Sequence, residues 1–154
     1  MRLFVATLIA ILPSLALGVS FDRDIPFEQL IEGSSSVIHG VVAEVETTAG
    51  PSGLRTRYQI QTERYLVGDA PPATEITLPG GKLDGTVEYV PGMPTWSVGS
   101  QVVLCIDEAG AVPLRGMFTV RHGFIGSPGG LLAAPSTLEQ LERSVSQIRG
   151  SEAP

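Results

Sequence analysis

A stretch of strict alternation, residues 54–66, is the feature that most constrains how this chain can fold. Leu54 and Ile60 occupy even-numbered positions of the stretch, whereas Arg55 and Arg57 occupy odd-numbered positions. Successive side chains of a β-strand point to opposite faces, so the pattern predicts a long strand with one face in a core and one in solvent. The sequence therefore favours a fold built on antiparallel pairing.

The segments around this strand predict further short strands. Residues 37–46 are rich in β-branched side chains, so we expect them to form a hairpin with residues 54–66 across a turn at residues 47–53. The 18 glycines and 12 prolines of the chain supply turns between many short elements. The further strands are predicted at residues 74–78, 86–90, 101–106, 117–122 and, more weakly, 131–134.

Two helices are predicted beside the strands. An opening helix within residues 22–33 has Asp24 as its cap and Pro26 in its first turn, and Gly33 ends it. Near the C-terminus, Ser136 and Glu139 form a capping box. The apolar stripe that follows is characteristic of an amphipathic helix on a sheet and consists of Leu138, Leu141, Val145 and Ile148.

Taken together, these elements predict a mainly β domain. About five or six antiparallel strands with a short N-terminal helix and a C-terminal amphipathic helix suit a small OB-like barrel. We expect residues 19–150 to form this single domain and residues 151–154 to be a polar tail.

Residues 1–18 have the pattern of a cleavable signal peptide. Arg2 precedes an apolar run over residues 3–17, and the small residues Ala16 and Gly18 predict cleavage before Val19. The alternative is a retained membrane anchor, but an apolar run of about 15 residues is shorter than the roughly 20 that span a bilayer. The expected location is therefore periplasmic or extracellular, with no stable membrane insertion after cleavage.

The charge of the chain excludes some classes of partner. Its net charge is −6, and no basic block interrupts the sequence. Nucleic acids and anionic membrane surfaces both require a basic patch, so neither is an expected partner.

The order of motifs resembles that of a class of exported bacterial β-barrel proteins, most of them uncharacterised. It runs from "VIHGVVAEVE" at 37–46 through "TRYQIQTERYLVG" at 56–68 and "PGMPTWSVGSQVVLCI" at 91–106 to "GMFTV" at 116–120. The early part is also similar to the netrin-like OB-fold barrel of tissue inhibitors of metalloproteinases. In both, a strand of the V-x-G-x-V type precedes a long strand that ends at an L-x-G turn.

That resemblance implies a fold more than a function. The inhibitors chelate the zinc of their target protease through an N-terminal cysteine, and the mature N-terminus expected here, Val19, offers no equivalent. No functional residue of the inhibitors has a counterpart in this chain.

No catalytic or metal-binding constellation is evident in the sequence. His39 and His122 have no ligand spacing, and the sole cysteine, Cys105, lies in an apolar strand typical of a buried thiol. No G-x-S-x-G elbow or phosphate-cradling loop occurs. We therefore expect no cofactor and no metal, although dispersed carboxylates acting with His122 stay open as an alternative.

Five residues are candidates for binding. A proline-stiffened loop at residues 90–98 carries Met93 and Trp96, which would form a rigid contact patch if exposed. The alternative is that Trp96 fills the core. Arg55, Arg57 and Tyr65 on the long strand offer a second face for a ligand or peptide.

These observations predict a secreted or periplasmic, non-enzymatic binding module that takes a protein partner. Two alternatives follow from the same sequence. One is an accessory protein or inhibitor of a co-secreted protease, and the other is a small hydrolase that uses His122 with dispersed carboxylates.

Overall fold

A computed structural model describes residues 24–126, 131–132 and 134–150 of the chain. The predicted signal peptide at residues 1–18 and the predicted tail at residues 151–154 lie outside the described residues. The elements in chain order are β1 (Ile25–Pro26), α1 (Phe27–Glu32), β2 (Ser36–Gly50), β3 (Gly53–Val67), β4 (Ala73–Pro79), β5 (Gly81–Leu83), β6 (Thr86–Glu88), β7 (Gln101–Ile106), β8 (Met117–Arg121), β9 (Phe124–Gly126), β10 (Leu131–Leu132) and α2 (Leu138–Gly150).

The fold is mainly β, as the alternating strand predicted. Six antiparallel strands form one sheet in the order β4-β3-β2-β7-β8-β9. The two-stranded pairs β5–β6 and β1–β10 lie outside that sheet. Among the described strands, β4 and β9 each have one neighbour in the sheet, so the hydrogen-bonded order is open and the predicted barrel closure is not confirmed.

The long hairpin of β2 and β3 is confirmed, but its predicted turn is wrong. Both strands continue until only Pro51 and Ser52 separate them, and Gly50 pairs with Gly53. The side chains of Thr47 and Thr56 are hydrogen-bonded across the two strands, with 3.0 Å between their Oγ1 atoms. The cluster of turn-forming residues therefore makes a tight hairpin rather than a wide loop.

The part of the sheet formed by β7, β8 and the start of β2 is covered on both faces, whereas β4 and most of β3 are covered on one face only. Alternate residues of β2 and β7 enter two separate clusters of buried side chains, because successive residues point to opposite faces. One cluster, the helix-side core, lies beneath α1 and α2 and consists of Phe27, Leu30, Ile31, Val37, Val103, Cys105, Phe118, Val120, Leu141 and Val145. The other, the loop-side core, consists of Ile38, Val42, Tyr58, Ile60, Ile76, Leu78, Trp96, Val102, Leu104, Ile106 and Met117.

Both predicted helices are present, with different N-terminal caps. α1 ends before Gly33 as expected, but it begins only at Phe27, so Pro26 precedes the first turn as the N-cap residue and Asp24 does not cap the helix. α2 is capped by Thr137, whose Oγ1 accepts a hydrogen bond from the Gln140 amide at 3.2 Å. The capping box predicted for Ser136 is therefore shifted by one residue. The predicted stripe of α2 faces the sheet.

Candidate binding surface

Trp96 lies in the core and not on the surface. Only 3% of its surface is exposed, and its indole Nε1–H donates to Thr119 Oγ1 at 2.7 Å. The indole ring packs against the ring of Tyr58 in an edge-to-face arrangement, with 5.2 Å between the ring centroids. Of the two placements that the sequence leaves open for Trp96, the structure has the one in the core, so Trp96 itself forms no exposed contact patch. A large aromatic ring with one polar atom is stable in this position because that atom has a partner.

Met93 and Trp96 fix the loop that follows β6. Met93 is half-buried and packs against the loop-side core. At the start of the same segment, Glu88 accepts a hydrogen bond from the Leu54 amide at 2.7 Å. The segment from 86 to 98 is thus held to the sheet at both ends, as a preorganised surface requires.

The side chains that this segment exposes are different from those predicted. Val87, Tyr89 and Val98 are 68%, 74% and 65% exposed. Val98 follows Trp96 by two residues and lies where the chain turns into β7. The loop therefore presents Val98 while Trp96 anchors it.

Val98 forms the rim of an open groove on the hairpin, which we call the strand groove. Its volume is about 510 Å³, and it is lined by Ala43, Glu44, Val45, Glu46, Arg57, Gln59 and Val98. Val45 is 37% exposed, so the groove combines two accessible apolar side chains with charged ones. The structure thereby brings Arg57, predicted from the alternating strand, next to the predicted loop.

The charged side chains of the strand groove form a small network on the outer face of the sheet. Arg57 donates to Glu46, and a second ion pair joins Arg57 to Glu75 at 3.3 Å. Glu44 is exposed and forms no ion pair with any described residue. Three carboxylates therefore surround Arg57, and the Glu44 carboxylate at the groove is not neutralised by an ion pair with a described residue.

The other predicted binding residues do not line the strand groove. Arg55 is exposed on the same face as Arg57, nearer the hairpin turn, and Tyr65 is 48% exposed near the opposite end of β3. Trp96 lies in the loop-side core and Met93 packs against it, so neither lines the strand groove.

A second groove lies beside the N-terminus of α2. It has a volume of about 430 Å³ and is lined by Arg64, His122, Gly123, Phe124, Thr137, Leu138, Glu139 and Glu142. His122 adopts a φ of +52° in the β8–β9 turn, and Phe124 is 64% exposed. Arg64 and Glu142 form an ion pair across the groove. His122 and two carboxylates therefore share one open surface.

His39 is a buried histidine beneath α2. It is 6% exposed, and neither ring nitrogen has a hydrogen-bond partner. Burial lowers the pKa of its imidazole, and the nearby Glu63, whose carboxylate is 4.0 Å from Nδ1, opposes this only in part. Arg64 lowers the pKa further and Glu142 raises it. The folded protein therefore favours the neutral ring.

We expect His39 to make stability depend on pH. An unfolded histidine titrates near pH 6.5 and takes up a proton more readily than the folded one, so stability is full above that pH. It falls as the pH drops toward the lowered folded pKa. Urea unfolding between pH 7.5 and 5.5 measures the effect. His39→Gln should flatten the pH dependence while exposed His122→Gln preserves it, and an unchanged slope in His39→Gln contradicts the assignment.

Two further findings concern metal and thiol chemistry. Within the described residues, no group of three or more His, Cys, Asp or Glu side chains could hold a metal ion. Burial raises the pKa of Cys105 to about 12, so its thiol is protonated at neutral pH. A protonated buried thiol is not a nucleophile.

No protein-family model matches the chain, and a search of curated proteins returns no match. The helices described in the structure include none that is long and apolar enough to cross a membrane.

Proposed function

We propose that this protein is a non-enzymatic binding module that is exported to the periplasm or beyond and takes a protein partner in the strand groove. The single observation that carries the proposal is the position of Val98. This side chain is 65% exposed on a loop that is held by a buried tryptophan, and it borders a concave surface with Arg57. A fixed, exposed apolar side chain with charged groups beside it resembles the apolar centre and polar surround of protein interfaces.

The export of the protein is part of the proposal. It is supported by the apolar run at residues 3–17 and by the small residues before Val19. An OB-like barrel is likewise the proposed architecture. Its support is that β3 and β4 contribute to the same loop-side core as β7 and β8, as they would in a strongly curved sheet.

Val98→Glu should remove the partner without unfolding the protein. The substitution places a charge at an exposed site, so the free energy of unfolding should change little. Replacing an apolar side chain that the partner covers with a charged one weakens a complex by about tenfold or more. The measurement is affinity capture of the tagged protein from the periplasmic and secreted fractions of its source, read by quantitative mass spectrometry.

The matched control is Val87→Glu, because Val87 is 68% exposed on the β5–β6 hairpin and does not line the strand groove. A stoichiometric partner that is lost in Val98→Glu and retained in Val87→Glu supports the proposal. Equal capture by both variants and the wild type contradicts it.

A hydrolase is the second candidate function, and one observation favours it. His122, Glu139 and Glu142 line the groove beside α2, as general acid–base catalysis would need. Against it, Glu142 is engaged by Arg64. Chromogenic ester, phosphate and peptide substrates test this candidate, and activity that disappears in His122→Gln would establish it.

An inhibitor or accessory of a co-secreted protease is a special case of the binding module. Its support is the similarity of residues 37–68 to the netrin-like barrel noted above. Full activity of a panel of zinc proteases at equimolar protein would exclude inhibition of those enzymes.

A further inference from the structure

The backbone edge of β2 is open along the strand groove. β2 has 15 residues and β7 has 6, so β7 pairs with β2 only from Ser36 to Val41. The chain before β7 adds two bonds to Val42, one from the Val42 amide to Ser100 O at 2.9 Å and one from the Gly99 amide to Val42 O at 2.8 Å. Beyond Val42, the described residues supply β2 with no further strand on that side.

The hairpin determines which backbone groups of β2 point toward this open side. Gly50 and Gly53 flank a two-residue turn and are therefore a hydrogen-bonded pair. The register is unbroken from Gly50 back to Glu44, so alternate residues bond to β3. The amide and carbonyl groups of Val45 and Thr47 thus point away from β3, where the described residues offer no backbone partner.

No residue of the small β5–β6 hairpin lines the strand groove. A Cβ at Gly81 would stand 2.1 Å from Thr56 Oγ1 and 2.9 Å from Thr47 Cγ2, so β5 crosses over the face of the β2–β3 hairpin. The space beside Val45 is instead the strand groove, bordered by Val98.

The side chains along the edge alternate in character. Glu44 and Glu46 lie on the outer face, opposite Gln59 and Arg57, whereas Val45 lies opposite the buried Tyr58. A strand added here would place alternate side chains beside the carboxylates and beside Val45. To complement the charge of Glu44 and Glu46, the added strand needs Lys or Arg at the alternate positions that lie beside these carboxylates.

We propose that the open edge of β2 binds an extended segment of the partner as an added β-strand, with basic residues alternating with apolar ones. This inference rests on the proposed function and names the chemistry of the partner. Main-chain hydrogen bonds to Val45 and Thr47 hold the segment, and the carboxylates and Val98 select its side chains.

A second copy of this chain is a poorer occupant. Antiparallel pairing of two β2 edges about a twofold axis at Glu46 would bring like carboxylates together, which opposes pairing. A partner segment with Lys or Arg at alternate positions instead places opposite charge beside these carboxylates.

The test uses the full chain and three fluorescein-labelled peptides. The first is Lys-Val-Lys-Val-Lys-Val-Lys, the second replaces each Lys with Glu, and the third keeps the charges but replaces each Val with Pro. We expect fluorescence anisotropy to show binding of the first peptide only. Equal binding of the first and third would mean attraction by charge alone and would overturn strand addition, because the proline peptide lacks half of its amide donors.

Val45→Pro removes one edge donor and keeps the hairpin bonds of β2, since the Val45 amide points away from β3. It should weaken binding of the first peptide by about fivefold or more, while Val45→Thr, which keeps the amide, should not. In wild-type protein, the amides of Val45 and Thr47 should gain hydrogen-exchange protection with the first peptide. Unchanged protection of both amides overturns the inference even if Val45→Pro fails to fold.

The two proposals fail separately. If the first peptide does not bind but capture still depends on Val98, strand addition is wrong and the binding module stands. A dimer in sedimentation that Val45→Pro abolishes would make the occupant a second copy and would overturn the inference.

Discussion

Trp96→Ala should lower the free energy of unfolding by about 3–5 kcal/mol, because it empties a large buried site in the loop-side core. The ring loses its contact with Tyr58, and Thr119 loses the indole hydrogen bond. The loop that carries Val98 also loses its anchor. Urea unfolding followed by circular dichroism measures the change.

Trp96→Phe is the matched variant, since it keeps an aromatic ring against Tyr58 and removes only the polar atom and part of the volume. Its loss should be clearly smaller than that of Trp96→Ala. A near-neutral Trp96→Ala that nevertheless abolished partner capture would show that Trp96 contacts the partner directly, against its burial in this structure.

Gly40→Ala should be the second large effect, with a loss of about 1–3 kcal/mol. A Cβ at Gly40 would lie 2.5 Å from the backbone oxygen of Gln61 and 2.8 Å from Ile60 Cγ2. Both neighbours belong to β3, which is fixed by pairing on both sides, so the strands would have to separate. Thermal unfolding of the variant tests this expectation.

Gly126→Ala is the control for Gly40→Ala, because it also lies in a strand of the sheet. Its added Cβ would meet Thr119 O at an ordinary 3.7 Å. Comparable losses in the two variants would mean that a general cost of replacing strand glycines, and not the close approach at Gly40, determines the result.

The parts of the fold that the sequence predicted correctly are those with a periodic signal. In residues 54–60 the even-numbered side chains are buried and the odd-numbered ones are exposed, as the alternation predicted. The predicted apolar stripe of α2 contains the side chains that pack into the helix-side core. Both patterns arise because an element with one buried face repeats its apolar residues at its own structural period. The core position of Trp96 was open in the sequence, since a stiff loop is compatible with either placement.

The candidate site was harder to predict, because it depends on how far one strand extends past another. Because the local sequence predicts a turn at residues 47–53, it does not reveal the free edge of β2 beyond Val42. Its signal in the sequence is the difference in length between β2 and β7, and this becomes visible only once the pairing is known. Val98 lies two residues after the predicted Trp96, but nothing in the local sequence tells which of the two is buried.

The most direct test of the binding module is site-specific photocrosslinking in the cell that produces the protein. A photoreactive phenylalanine analogue replaces Val98 in one variant and Val87 in the other, both exposed positions. The account predicts a discrete higher-mass adduct from position 98 and none from position 87. No adduct at position 98, or the same adduct from both positions, would contradict a partner in the strand groove.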